Sequence, residues 1–195
     1  MKLCIISGST REDAASCHVA EYLKSQLTEI SPNGETSIFD LAQLELPLWQ
    51  EGMDETVVSE QKQQLANADG FVFVVPEWHG MVPPAVKNLF FLFGNVFKHK
   101  PAYIVGVSSG TGGRYPIVEM RASTYKNSMI NYLPISTVLD KVNTVISKQG
   151  EYIAEKDFMK RRLDEGLRFL IEYSKAFIQI RESEIAKESR FANGL

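Results

Sequence analysis

Short apolar runs alternate along this chain with amphipathic stretches. Lys2 to Ser7 is apolar at nearly every position and stops at Gly8, the pattern of a strand buried on both faces. Over 16–30, Val19, Ala20, Leu23, Leu27 and Ile30 recur at helical spacing, and the breaker sequence SPNG closes the stripe. TSIFDL (36–41) reads as a second strand, TVVSEQKQQLANA (56–68) as a second helix, and DGFVFVVP (69–76) as a third strand. A helix over 83–97, PPAVKNLFFLFGNVF, would be apolar around most of its circumference and needs cover on several sides. PAYIVGVSSG (101–110) reads as the fourth strand, PIVEMRASTYKNSMINYL (116–133) as the fourth helix and PISTVLDKV (134–142) as the fifth strand. From about residue 155, Phe158, Leu163, Leu167, Leu170, Ile171, Ser174, Phe177 and Ile178 keep helical spacing before the chain turns polar after Ile180. This predicts one long final helix with a solvated end.

Strands alternating with helices predict an α/β fold, a mostly parallel five-stranded sheet wrapped on both faces. With 195 residues, 44% of them hydrophobic, one globular domain over 1–195 is expected, and no repeat or linker divides the chain. A formal charge of −3 provides no basic stripe for a phosphate backbone, so no nucleic-acid partner is expected. No apolar run approaches the roughly 20 residues that span a bilayer, and no cleavable leader pattern opens the chain, so a cytoplasmic protein without a membrane partner is expected. Cys4 and Cys17 have neither a redox-pair nor a metal spacing, and His18, His79 and His99 are scattered, so no metal is expected.

In doubly wound sheets, ligands sit outside the carboxyl ends of the strands, which directs attention to three loops. GSTREDAAS, after strand one, offers a glycine turn, the hydroxyls of Ser9, Thr10 and Ser16, and the forked cation of Arg11. It fits neither the P-loop nor the dinucleotide fingerprint, which leaves a phosphomonoester or a tight turn with a serine cap. VPEWHGMVPPAVKN, after strand three, places Pro76, Glu77, Trp78, His79 and Gly80 where backbone and aromatic walls can meet a planar ligand, or where they form a rigid turn. SSGTGGR, after strand four, strings Ser109, Gly110, Thr111, Gly112 and Gly113 into a backbone-rich loop that either admits a flat ring or merely connects. Together the three describe a site for a flat heterocycle with a terminal phosphate, and FMN meets that description.

These segments resemble the NADPH-dependent FMN reductase family of flavodoxin-like quinone, chromate and azo-dye reductases. GSTREDAAS is similar to the family's Gly-Ser-x-Arg phosphate loop, PEWHGMVPPAVKN to its Pro-Glu-Tyr-Asn-Gly segment with the following Pro and Leu-Lys-Asn, and SSGTGG to its flavin loop. The resemblance covers about 1–139 and implies a flavodoxin-like sheet of order 2-1-3-4-5. It implies that Ser9, Arg11, Ser16 and the amides near Cys17 hold the FMN phosphate. Pro76, Glu77, Trp78, His79 and Gly80 would line the ring, with Ser109, Gly110, Thr111, Gly112 and Gly113 at its other edge. It further implies NADPH or NADH as co-substrate, a small acceptor such as a quinone or flavin, ping-pong turnover, and a homodimer or homotetramer. LPLW (46–49) resembles a family loop that approaches the neighbouring subunit's flavin, and is equally a core-packing turn.

Ala14 stands where the family often has Ser, Glu12 and Asp13 bring negative charge near the anion, and Trp78-His79 replace Tyr-Asn. No side chain is expected to act on substrate directly, since flavin carries the chemistry. His79 is expected to be the one titratable group beside the ring, with a tuning role. Glu77 and Lys87 are expected to pair or to fix the second loop. The rival readings are a non-catalytic flavodoxin-type electron carrier and a binding module on this fold that has lost FMN.

Overall fold

The computed structural model describes residues 1–188. Its sheet is formed by β1 (Lys2–Ser7), β2 (Glu35–Asp40), β3 (Gly70–Pro76), β4 (Pro101–Val107) and β5 (Asn131–Leu139), all parallel, in the order β2-β1-β3-β4-β5. The helices are α1 (Ala15–Ile30), α2 (Ser59–Ala66), α3 (Pro84–Phe93), α4 (Tyr115–Ser123), α5 (Phe158–Glu182) and the short α6 (Glu184–Lys187). No described helix is long and apolar enough to cross a membrane.

The two-residue period of β3 divides the core. Phe71, Phe73 and Val75 point to one face, where they meet Leu65 of α2, Val86, Leu89 and Phe93 of α3, and Met120 of α4. Val72 and Val74 point to the other, against Val19 and Leu23 of α1 and Leu163, Leu167 and Leu170 of α5. Both faces are dry, which explains why β1, β3 and β4 read as unbroken apolar runs. The final helix starts at Phe158, whose side chain is exposed, and its polar end is tied down by Arg181, which donates to Asp69 at 2.8 Å.

Several element boundaries differ from the sequence expectation: the third helix stops at Phe93 and continues as a 3₁₀ turn, Gly94–Phe97, the fourth strand stops at Val107, and the second and fourth helices differ most. The second helix is preceded by a 3₁₀ turn, Glu55–Val58, capped by Asp54, which accepts from the Thr56 amide at 2.9 Å. The fourth helix ends at Ser123 instead of running to 133. Ser123, Thr124 and Ser128 each bond back to a carbonyl four residues earlier, and Asn127 and Met129 take left-handed φ values of 62° and 49°. Asn131, Tyr132 and Leu133 then belong to β5. Pro134 follows inside that strand, which tolerates it because β5 is at the edge and its register shifts there.

Candidate functional site

β1 pairs with β2 on one side and β3 on the other, so the chain switches direction across β1 and opens a crevice at the strands' carboxyl ends. A cavity of about 610 Å³ lies there. Ser9, Arg11 and Ser16 line one end, Pro76, Glu77, Trp78 and His79 a second wall, and Ser109 and Gly110 a third. Of the other residues singled out from sequence, Cys17, Gly80, Thr111, Gly112 and Gly113 stand outside the wall.

The first loop leaves β1 through Gly8, which needs to be glycine for close approach: a Cβ there would lie 2.8 Å from the Val74 carbonyl oxygen. Ser9 is buried and accepts from the Arg11 amide at 3.2 Å, and Ser7 donates to Ser16 at 3.4 Å. Helix α1 begins after Ala14, which supplies no side-chain cap. The amides of Ala15 and Ser16, both residues in the cavity wall, find no partner among the described residues, while Cys17 donates its amide to Ala14 at 2.9 Å. The Cys17 amide is therefore already used. Its thiol is pushed up to about 11 by burial and then by Asp40, and stays protonated at neutral pH. Two free N–H groups at the positive end of a 16-residue helix favour an anion, and Arg11 adds a cation beside them. The Arg11 guanidinium lies 5.7 Å from the centre of the Trp78 ring, linking phosphate end to aromatic wall.

The second loop is a two-residue hairpin. Trp78 and Met81 exchange backbone bonds of 3.1 and 2.8 Å, and the residues between them, His79 and Gly80, have φ of 49° and 74°. Positive φ at both central positions defines a type I′ turn, whose preferred pair is Asn-Gly. His79 thus occupies a left-handed position and projects at the cavity wall. Pro83 and Pro84 then start α3, as proline suits the first helical turn.

Glu77 and Lys87 do not pair with each other. One Glu77 carboxylate oxygen accepts from the Gly113 amide at 2.6 Å and the Tyr115 amide at 3.3 Å, tying the second loop to the third. Lys87 instead pairs with Glu119 at 2.8 Å, and Glu119 also accepts from the Val82 amide at 2.6 Å. Burial opposes ionisation of Glu119, but Lys87 and that amide outweigh it and hold the carboxyl below its ordinary range. The partners differ from the expected pair because Glu77 faces the start of α4, where its charge meets unpaired amides. Gly113 folds back on the sheet, so a Cβ on Gly106 would overlap its carbonyl.

A fourth wall, unforeseen in the sequence, follows β5: Asn143, Ile146, Ser147 and Lys148. Lys148 reaches back to Asp13, which His18 also meets at 2.8 Å. Lys148 and then His18 hold the Asp13 carboxyl below its ordinary range, so its charge is met by neighbours within the chain. His79 is consequently not the only imidazole in the cavity wall, since His18 lies there too. The LPLW segment is held by Asn88, which accepts from the Trp49 amide and donates to the Pro47 carbonyl, both at 2.9 Å.

The same fold occurs in a flavoenzyme NAD(P)H:(acceptor) oxidoreductase from Paracoccus denitrificans, with a TM-score of 0.71 at 16% identity over 90% of this chain and 98% of that one. An NADH:FMN oxidoreductase in its apo form superposes with a TM-score of 0.70 at 13% identity, covering 100% of this chain and 94% of that one. In sequence, the chain is 30% identical over 122 residues to a 2-hydroxy-1,4-benzoquinone reductase from a Burkholderia species, covering 58% of this chain and 63% of the relative. It is 26% identical over 121 residues to the NADH-dependent flavin reductase subunit 2 of Lactobacillus johnsonii, again 58% and 63%. The loops after β1, β3 and β4 all fall within residues 1–143, which match the model of the NADPH-dependent FMN reductases, and the chain belongs to that family.

Proposed function

We propose that this protein is an FMN-dependent NAD(P)H oxidoreductase, with a quinone, flavin or similar small molecule as acceptor. The observation that carries the reading is the polarity of one cavity: two unpartnered helix amides and Arg11 at one end, aromatic and backbone-rich walls at the other. That arrangement fits a flat heterocycle with a terminal phosphate. Ser9, Arg11, Ser16 and the Ala15 and Ser16 amides would hold the phosphate; Pro76, Trp78, His79, Ser109 and Gly110 would flank the ring.

The chemistry supplied by bound FMN is acceptance of a hydride from NADPH or NADH and its delivery to the acceptor, in ping-pong order. The protein's part is positioning. Glu77 fixes the second loop against the third, and Trp78, 44% exposed, presents an aromatic face at the cavity. His79 would place an imidazole beside the ring with a tuning role, and replacing it with Asn would change the rate of acceptor reduction. The benzoquinone reductase among the relatives supports a quinone as acceptor.

Leu48, Trp49 and Phe91 are 71%, 43% and 65% exposed, and the last two rings lie 5.8 Å apart. This apolar surface on α3 and its neighbouring loop supports association into a homodimer or homotetramer. Light scattering of Phe91→Glu beside the wild type checks it: a shift to monomer supports the assignment, and an unchanged mass removes it.

The functional test is the absorption spectrum of purified protein supplied with FMN, followed by anaerobic NADPH or NADH. Flavin bands that bleach within seconds support the proposal. Bound flavin that is not reduced indicates an electron carrier, and no bound flavin indicates a binding module.

A further inference from the structure

The residues after β5 form a small hairpin outside the stretch that matches the family. Ile146 and Tyr152 bridge antiparallel, the Ser147 amide donates to the Glu151 carbonyl at 2.9 Å, and the Ser147 hydroxyl accepts from two amides within the turn, at 3.2 Å each. The hairpin is seated on α1. Gly150, at φ 71°, allows this contact, because a Cβ there would come within 3.1 Å of the Glu21 Cβ and 3.3 Å of the Tyr22 amide nitrogen. Tyr152 adds a ring contact with Tyr22, their centroids 6.1 Å apart. The tip of this rigid unit carries Lys148 into the wall of the cavity, at the end where Ser9, Arg11 and Ser16 lie.

Lys148 meets the Asp13 carboxylate, and the lysine side chain is 70% exposed. An exposed pair of this kind contributes little to stability, and the four-carbon stem of lysine lets the ammonium move to a stronger partner without moving the backbone. Asp13 lines the same cavity just before α1, its carboxylate meeting both Lys148 and His18, beside the place the helix end and Arg11 favour for an anion. A phosphate dianion there competes with a singly charged carboxylate for the same cation, and its larger charge favours the transfer.

We infer that Lys148 is a second phosphate-recognising cation of this cavity, held in reserve by Asp13 and transferred to the phosphate of the bound flavin. The inference rests on the proposed FMN site. It assigns discrimination between phosphorylated and unphosphorylated flavin in part to the hairpin after β5.

The test measures the affinities of FMN and riboflavin by quenching of flavin fluorescence, at low and at moderate salt. Lys148→Met is expected to weaken FMN about tenfold and leave riboflavin unchanged, with a shallower salt dependence for FMN. Asp13→Asn, which releases the lysine, is expected to tighten FMN by roughly threefold, and that gain is expected to shrink when Lys148 is also Met. An unchanged FMN-to-riboflavin ratio in Lys148→Met overturns the role of Lys148 while leaving the FMN site standing. Wild-type protein that binds neither flavin overturns the FMN site, and this inference with it.

Discussion

The loop after β1 and the loop after β3 face each other across one cavity and are built on opposite principles. The turn at 77–82 is tied down at its base, where Trp78 and Met81 bond to each other, the Glu77 amide to Val107 and the Val82 amide to Glu119, while the His79 and Gly80 amides at its tip find no partner among the described residues. The turn at 8–14 and the start of α1 leave the Ala15 and Ser16 amides free, and Arg11 rests on an aromatic face instead of a carboxylate. Two open amides at the start of a helix, with a cation beside them, suit an anion, and the proposed phosphate site uses them. On the proposed reading, the difference separates a wall whose base is shaped in advance from an end that would take the phosphate.

If the second and third loops are shaped in advance, breaking their supports should cost stability even without ligand. Gly106→Ala is the largest such break, because its Cβ meets the Gly113 carbonyl, and a loss of about 3 kcal/mol is expected by thermal or urea unfolding. Glu77→Ala leaves the Gly113 amide without its acceptor and is expected to cost about 2 kcal/mol in the same assay. If the first loop is completed by ligand, Arg11→Met should change stability little without FMN and weaken FMN about tenfold or more.

Smaller effects sharpen the contrast. His79→Val places a β-branched residue at φ 49° and is expected to destabilise by roughly 1–3 kcal/mol. His79→Asn suits the type I′ turn and should leave the melting temperature level or slightly raised. On the far side of the sheet, Lys100 is buried and donates to the Ala66 carbonyl at 2.8 Å; burial and then Arg181 push its amine down from 10.5 to about 8. Below about pH 8 the cost of the buried charge is fully present, and between that value and 10.5 the unfolded chain binds more protons, so stability rises with pH. Melting temperatures of wild type and Lys100→Met should therefore diverge in favour of wild type as pH rises through that window.

Much of this was readable from the chain because two-sided burial writes itself directly into sequence. Lys2–Ser7, Gly70–Pro76 and Pro101–Val107 are apolar at almost every position, and placing them side by side brings three loops to one edge. The end of α4 was not readable, since residues 124–133 keep a helical rhythm while Asn127 and Met129 turn the backbone left-handed. Nor were the partners of Glu77, which are backbone amides 36 and 38 residues away, with no side-chain signature to pair with it. Lys148 was invisible for a related reason: it reaches Asp13 only because the chain after β5 doubles back and Gly150 lets it sit on α1.

The central claim, that one end of the cavity is completed by a phosphate and the other is complete already, is tested most directly by an amide-resolved NMR titration with FMN. The account predicts that the Ala15 and Ser16 amide signals shift strongly with FMN and far less with riboflavin, while Trp78 and Met81, already bonded to each other, keep their hydrogen-exchange protection throughout. Ala15 and Ser16 signals that stay still while FMN binds elsewhere would contradict it.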